Sequence, residues 1–142
     1  MEKRSIKERI NDKIEQIQQF LSELPEIVPN SIEEYLSDIS AKAACERYAE
    51  KIIQALIDLA FLIIREKKLQ SPEDELQAFK ILEINKIIST NLSERLQDAK
   101  RMRNIIVHEY GEIDDNIIYI AITEQLERDT NEFINSIELS LK

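Results

Sequence analysis

The chain has 142 residues, 43% hydrophobic and 33% charged, which is enough for one domain with a buried core. Its formal net charge of −9 argues against broad electrostatic binding of nucleic acid, which usually shows as a basic surface. One glycine and three prolines leave little material for hairpins or barrel corners, and isoleucine and leucine recur at helical spacings. We therefore predict a single all-α domain over residues 1–142.

The first predicted helix runs from Glu2 to Leu24, where apolar residues recur every three or four positions. Pro25 and Pro29 end it, because proline has no N–H to donate and restricts the residue before it. The apolar stripe of this helix is narrow and suits packing on a partner helix. Together with the many apolar residues elsewhere, it predicts a surplus apolar face and therefore a homodimer.

The second predicted helix begins after Ser31 and runs to Lys68. Ser31 and Glu34 have the spacing of a capping box, in which each side chain satisfies a free backbone N–H of the first turn. The segment from Ile52 to Ile64 is apolar nearly all round, so we expect this helix to be central. One polar line remains on it, either solvated or paired, and comprises Arg47, Lys51, Gln54, Asp58 and Arg65.

Three further helices complete the chain. The third covers Pro72 to Ser89 and follows a capping serine, Ser71. The fourth opens at Asn91 or Ser93 and stops at Gly111, the residue type suited to a left-handed cap. The fifth starts near Asp114 and continues to the C-terminus. Short connections predict an antiparallel five-helix bundle, in which the inward-facing residues of the third helix include Ile84.

Several features predict a cytoplasmic protein without a membrane anchor. The first ten residues are charged where a signal peptide needs an apolar region. The best apolar run, Ala55 to Ile64, is interrupted by Asp58 and is half of the ~20 residues that a transmembrane helix requires. The single cysteine, Cys45, cannot form an internal disulfide, and we expect it to be a small buried residue in a reducing compartment.

The residue types present exclude several kinds of site. One glycine cannot build a glycine-rich phosphate loop, and one histidine with one distant cysteine cannot make a zinc site. The sequence has no nucleophile-elbow motif, and a di-iron bundle would need a Glu-x-x-His motif on each of two helices. Carboxylates alone can hold Mg²⁺, but their spacing indicates no such site. We therefore expect neither a cofactor nor a bound metal.

The segment RNIIVHEYG, Arg103 to Gly111, contains the only histidine and the only glycine. An imidazole can take and return a proton near neutral pH, and a guanidinium can make two hydrogen bonds to a phosphate. Arg103 and His108 can therefore cleave RNA without metal, with His108 as acid or base and Arg103 holding the phosphate. The alternative is that His108 only caps the last carbonyls of its helix.

The spacing of these two residues bears on where a site can form. Five residues along a helix turn by about 140°, so Arg103 and His108 do not share one face of a regular helix. Either the last turn unwinds or a symmetric dimer brings two copies of the segment together, which is a second reason to expect a homodimer. Lys100 and Arg101 precede the segment and are expected to be a phosphate-attracting or solvated patch on an acidic body.

The segment also carries a family pattern. Arg103, His108 and Tyr110 make up Arg-x4-His-x-Tyr, with Asn104 directly after the arginine. This pattern, its flanks MRNIIVHEYGEID and the second-helix segment CERYAEKIIQALIDLA resemble the HepT-type toxins of the HEPN superfamily. The five-helix layout extends the resemblance over nearly the whole chain. One departure is mild: Arg101 begins RMRN where many relatives have GFRN, and no motif residue is affected.

The resemblance implies the toxin of a type VII toxin–antitoxin pair, which is a dimeric, metal-independent ribonuclease. The implied partner is a minimal nucleotidyltransferase antitoxin of the MntA type, which attaches AMP to the motif tyrosine, here Tyr110. Phosphates added beside Arg103 and His108 would occupy the phosphate site and repel RNA. Asn104 is expected to orient the phosphate or the arginine, and Asp58, in the most apolar part of the second helix, to orient Arg103.

Two other functions remain open from the sequence. A non-catalytic helical dimer can dock a nucleotidyltransferase and bind nucleotides or RNA without cutting, and the acidic net charge favours this slightly. A purely structural interaction protein is the third possibility. In those cases Tyr110 is a packed ring with its hydroxyl at the surface, and Asp58 only neutralises a helix-packing arginine.

Overall fold

A computed structural model describes residues 4–108 and 114–142, and within these ranges the chain is helical with no strand. The elements in chain order are α1 (Ile6–Ile27), α2 (Ile32–Ser37), α3 (Ile39–Glu66), α4 (Glu75–Ile84), α5 (Thr90–His108), α6 (Asp115–Ile120), a π-helical segment (Ala121–Gln125) and α7 (Leu126–Ser140). The predicted all-α fold is confirmed. None of the helices described is long and apolar enough to cross a membrane.

The central position predicted for the second helix is confirmed for α3. It packs against α1, α4, α5 and α7, and between Ile52 and Ile64 every side chain except Gln54, Asp58 and Phe61 is buried. Burial of apolar surface is the main force that holds such a bundle together. The buried side chains of the described residues form one cluster that reaches from α1 to α7. A single domain over residues 1–142 stays a prediction.

The apolar stripe of α1 is used within the chain. Ile10, Ile14, Ile17 and Leu24 are all buried against the core, so the stripe itself provides no free apolar face. Exposed apolar side chains are found instead on α2, at the start of α3, at the end of α4, and on α5, α6 and α7; they are Leu36, Ile39, Ile84, Ile105, Ile117, Ile120 and Leu139. The homodimer stays a prediction, and the apolar surface that could form it lies outside the α1 stripe.

Proline does not end α1 where we expected. Ser5 caps the helix, which then continues through Pro25 instead of stopping at Leu24. Pro25 stands in the last turn, where its missing N–H removes only one backbone hydrogen bond. Pro29 has the stronger effect, because it holds the preceding Val28 in an extended conformation (φ −75°, ψ 122°).

The predicted second helix is divided into α2 and α3. Ser31 caps α2, as predicted, and accepts a hydrogen bond from the Glu34 N–H at 3.2 Å. The chain then breaks at Asp38, which is extended (φ −105°, ψ 92°) and accepts from the Ala41 N–H at 3.0 Å. The Asp38 side chain competes with backbone carbonyls for a backbone N–H hydrogen bond. A new helix therefore begins after Asp38. Lys68, which follows α3, adopts a left-handed conformation (φ 55°).

The third predicted helix is shortened at both ends. Its cap is Asp74 instead of Ser71, and the Asp74 carboxylate accepts from the Gln77 N–H at 2.8 Å. Lys86, with φ of 60°, turns the chain away shortly after α4 ends. Ile84 therefore lies at a helix end and is 75% exposed, contrary to the predicted inward position.

The fourth predicted helix is present as α5. It starts slightly before the predicted Asn91 or Ser93, because the Ser89 hydroxyl caps its first turn. Ile105, an apolar residue of this helix, is 37% exposed. The predicted stop at Gly111 lies outside the described residues.

The last predicted helix starts as expected and then changes its winding. The Asp114 carboxylate accepts hydrogen bonds from the N–H groups at the start of α6. The π-helical segment 121–125 then separates α6 from α7. Ile117 is exposed, whereas the Tyr119 hydroxyl donates to the carbonyl of Pro29, shortly after α1, at 2.8 Å.

Cys45 is fully buried, as predicted for a small apolar residue of the core. Burial raises the pKa of its thiol from 9.0 to about 11, and the nearby Glu46 and Asp38 carboxylates act in the same direction. The thiol therefore stays protonated at neutral pH, and the reactive thiolate is scarce in the folded chain.

We expect a thiol reagent to label the folded protein at pH ~8 at least about a hundredfold more slowly than the urea-unfolded chain. The free energy of unfolding should fall between pH 9.0 and about 11, since there the unfolded chain releases a proton that the folded chain retains. Labelling kinetics and urea titrations measure both effects. Cys45→Ala should remove the part of this pH dependence that starts near pH 9, leaving the part above pH 10 that comes from the raised pKa of the buried Tyr35 hydroxyl. Equal labelling rates for the two states would contradict the burial.

Candidate functional site

Helix α5 carries the predicted site residues on two different faces. The helix is regular to His108, so Arg103 and His108 are turned about 140° apart. The Arg103 side chain is only 15% exposed and points towards α3 and α4, whereas His108 is exposed. One chain therefore does not bring the two groups together through α5. Tyr110 lies outside the described residues.

The guanidinium of Arg103 is held from two sides. Its Nη1 donates to the Gln54 side-chain carbonyl on α3 at 2.6 Å, and its Nη2 donates to Glu75 Oε1 on α4 at 2.7 Å. Its Nε is buried and has no hydrogen-bond partner in the described part of the chain. Lys100 lies one turn earlier on α5, and its Nζ is 3.9 Å from the same Glu75 oxygen. One carboxylate oxygen thus accepts a hydrogen bond from Arg103 and forms a longer ion pair with Lys100.

Asp58 is connected to Arg103 only through Gln54. Its carboxylate accepts from Gln54 Nε2 at 3.0 Å and lies 3.6 Å from Lys13 Nζ. An ionised carboxylate can only accept hydrogen bonds, so the Gln54 NH₂ must face Asp58. The Gln54 side-chain oxygen is then left to accept from Arg103. The expected orienting role of Asp58 remains a prediction, and the structure makes it an indirect one.

The exposed face of α5 carries two further predicted residues, Arg101 and His108. Arg101 is 55% exposed and pairs with Asp98 at 2.8 Å, away from Lys100, so the expected patch of two bases is divided between two faces. His108 lies seven residues after Arg101 and therefore on the same face. Asn104 is half-buried and lies between the two faces.

Sequence reasoning missed Glu75 and gave Gln54 no role. Gln54 belongs to the polar line on the central helix, a signal that pointed to this surface. Glu75 is 28 residues from Arg103, and no spacing links the two. The only available hint was that an acid is favoured in the first turn of a helix by the positive end of its dipole.

The arrangement suits binding of a phosphate more than ligation of a metal. A guanidinium and an ammonium that lie beside one carboxylate oxygen offer the positive charge and donors that a phosphate oxygen needs. The exposed imidazole of His108 can exchange protons with solvent or a ligand. In residues 4–108 and 114–142, no group of three or more His, Cys, Asp or Glu side chains is placed to hold a metal ion.

Comparison with known proteins gives consistent matches along the chain. The family described as "Ribonuclease HepT-like" matches residues 10–137. The chain is 29% identical over 119 residues to a tRNA nuclease HepT from Aphanizomenon flos-aquae, covering 84% of this chain and 81% of that protein. It is 33% identical over 89 residues to an mRNA nuclease HepT from Shewanella oneidensis, covering 63% of this chain and 66% of that protein.

A solved structure shows the same fold. It contains a tri-AMPylated Shewanella oneidensis HEPN toxin in complex with MNT antitoxin. The TM-score is 0.86 at 26% identity, and the match covers 96% of this chain and 99% of that one.

Proposed function

The chain belongs to the HepT-like ribonuclease family, and from this premise we propose that it is a metal-independent RNA endonuclease and the toxin of a type VII toxin–antitoxin pair. Arg103 and His108 are the proposed catalytic residues. The observation that carries the proposal is that Arg103 and Lys100 both lie beside one Glu75 carboxylate oxygen, with an exposed imidazole on the same helix. The alternative is a non-catalytic helical dimer that binds RNA or nucleotides.

The proposed reaction uses the 2′-hydroxyl of RNA as the nucleophile. Its oxygen forms a bond to the adjacent phosphorus while the bond from phosphorus to the 5′-oxygen breaks. His108 takes the hydroxyl proton while solvent water protonates the leaving oxygen, or His108 protonates the leaving oxygen while water takes the hydroxyl proton. Arg103 binds the phosphate and offsets the negative charge that develops in the transition state. Lys100 adds a second positive charge beside it.

The proposed active form is a symmetric dimer in which each site combines Arg103 of one protomer with His108 of the other. The divergence of the two side chains along α5 supports this arrangement. Ile105 is partly exposed near the face of His108, and an apolar residue there suits coverage by a second copy.

We expect Arg103→Ala and His108→Ala each to lower RNA cleavage by more than about a hundredfold. An equal mixture of the two variants, unfolded and refolded together, should regain about a quarter of the original activity, since half of the dimers then contain one intact site. Cleavage of a labelled RNA measures both effects.

Glu127→Gln, an exposed change on α7, is the control and should retain cleavage. No recovery in the mixture would place each complete site within one protomer. Full cleavage by His108→Ala, or growth arrest on expression of this variant, would remove His108 from catalysis. Binding of RNA without cleavage by the unaltered protein would favour the non-catalytic alternative.

We also propose that an MntA-type nucleotidyltransferase partner attaches AMP to Tyr110. The AMPylated toxin in the solved complex supports this, because that relative has the same fold over nearly the whole chain. Adenylate phosphates on Tyr110 would lie close in sequence to His108 and would repel RNA phosphates.

Co-expression with such a nucleotidyltransferase should add the mass of one or more AMP units to the intact chain. Tyr110→Phe should abolish the addition, because it removes the acceptor hydroxyl, and intact-protein mass spectrometry measures it. Tyr48→Phe, at a half-buried tyrosine of α3, is the matched control and should keep the addition. AMP on Tyr110→Phe would assign the modification to another residue.

The contacts of Arg103 also rank its supporting residues. Gln54→Leu removes a hydrogen bond to a charged group and should lower cleavage by about tenfold or more. Asp58→Asn should have a smaller effect, because it only permits the Gln54 amide to turn over. Steady-state cleavage kinetics compare the two variants.

Asp98→Asn is the control for Asp58→Asn, because it removes the same charge beside Arg101 without touching Arg103. If Asp58→Asn changes neither cleavage nor thermal stability, Asp58 has no orienting role.

A further inference from the structure

We propose that the Glu75 carboxylate is a resident counter-anion that covers the phosphate-binding groups of Arg103 and Lys100 and is displaced by an RNA phosphate. This inference rests on the proposed function, since it takes Arg103 to be the group that binds the phosphate. It assigns to Glu75 control over how readily RNA enters the site.

The contacts of Glu75 are those expected of a bound phosphate oxygen. Its Oε1 accepts from Arg103 Nη2 at 2.7 Å and lies 3.9 Å from Lys100 Nζ. A carboxylate and a phosphodiester each carry one negative charge. Exchange of one for the other therefore leaves no uncompensated charge beside the two partly buried cations.

The donors of Arg103 indicate which edge the phosphate takes. Nη1 is engaged by Gln54, so the remaining edge of the guanidinium consists of Nη2 and Nε. Nε is buried and has no partner within the described residues, which is an unusual state for a charged donor. A phosphate that replaced Glu75 would satisfy both groups, because an arginine edge binds two oxygens side by side.

The exposure of the three side chains shows how an anion reaches this edge. Arg103 and Lys100 are 15% and 16% exposed, whereas Glu75 is 35% exposed. The carboxylate is the most solvent-accessible member of the group, so an anion from solvent meets it before the two cations. Glu75 is also the first residue of α4, and its release into solvent does not require any core side chain to move.

A purely structural salt bridge predicts the opposite response to neutralisation. If Glu75 only fixes α4 to α5 or positions Arg103, loss of its charge weakens the site. If Glu75 competes with phosphate, loss of its charge strengthens RNA binding, because the two cations then lack a resident partner.

The test measures RNA affinity in a His108→Ala background, with a short fluorescein-labelled single-stranded RNA and fluorescence anisotropy. Glu75→Gln should lower the dissociation constant about three- to fivefold, the range expected for loss of a partly exposed ion pair. Glu73→Gln is the matched control, since it removes the same charge two residues earlier at an exposed position. It should leave the dissociation constant unchanged.

Two further variants complete the test. Glu75→Ala should also tighten binding, which guards against an effect peculiar to the glutamine side chain, and circular dichroism confirms the fold of each variant. In an Arg103→Ala background the gain from Glu75→Gln should shrink, because one of its two partners is gone. An unchanged or weaker affinity in both folded Glu75 variants overturns the inference.

Failure of the inference and failure of the proposed function give different results. If His108→Ala still cleaves RNA, the proposed catalytic role is wrong, whatever the affinities. If His108→Ala is inactive and the Glu75 variants bind RNA no more tightly, only the counter-anion role is wrong.

Discussion

The pairing of one largely buried guanidinium connects the fold of this protein to its chemistry. Arg103 is mostly removed from water, and a charge in that position is costly unless acceptors surround it. Gln54 on α3 and Glu75 on α4 supply those acceptors. The same contacts that hold three helices together therefore determine which donors of Arg103 remain for a ligand. A substitution of Arg103, Gln54 or Glu75 therefore changes contacts between α5 and the other two helices as well as the donors left for a ligand.

Much of the fold follows from local sequence. Helical spacing of isoleucine and leucine predicted the helices, and Ser31 and Asp114 marked two of their starts because their side chains satisfy free backbone N–H groups. The errors have local causes as well. Pro25 is tolerated in a last turn, and Asp38 starts a new helix inside a segment that otherwise favours one long helix. Both outcomes depend on position within a helix, which residue type alone does not reveal.

The site was only partly accessible to sequence reasoning. The motif residues Arg103 and His108 stand close together in the chain, and helical geometry already required them to point in different directions. Glu75 is distant in sequence, and its contact with Arg103 depends on how α4 packs beside α5. That packing is a tertiary property: α4 buries Phe79 in the core, and the Ser93 hydroxyl of α5 donates to the Phe79 carbonyl at 3.5 Å. Lys100 and Arg101 are adjacent in sequence, but the turn of about 100° per helix residue places their side chains on different faces of α5.

The π-helical segment between α6 and α7 has a consequence for the two surfaces of the last helix. Ile118, Ile122, Leu126 and Thr130 are buried and stand four residues apart. In a regular helix a spacing of four drifts by about 40° at each step, so the buried line would leave the core. The wider winding of the π-helical segment corrects this phase. The change of winding is thus compatible with Ile117 facing outward on α6 while Phe133 of α7 stays in the core.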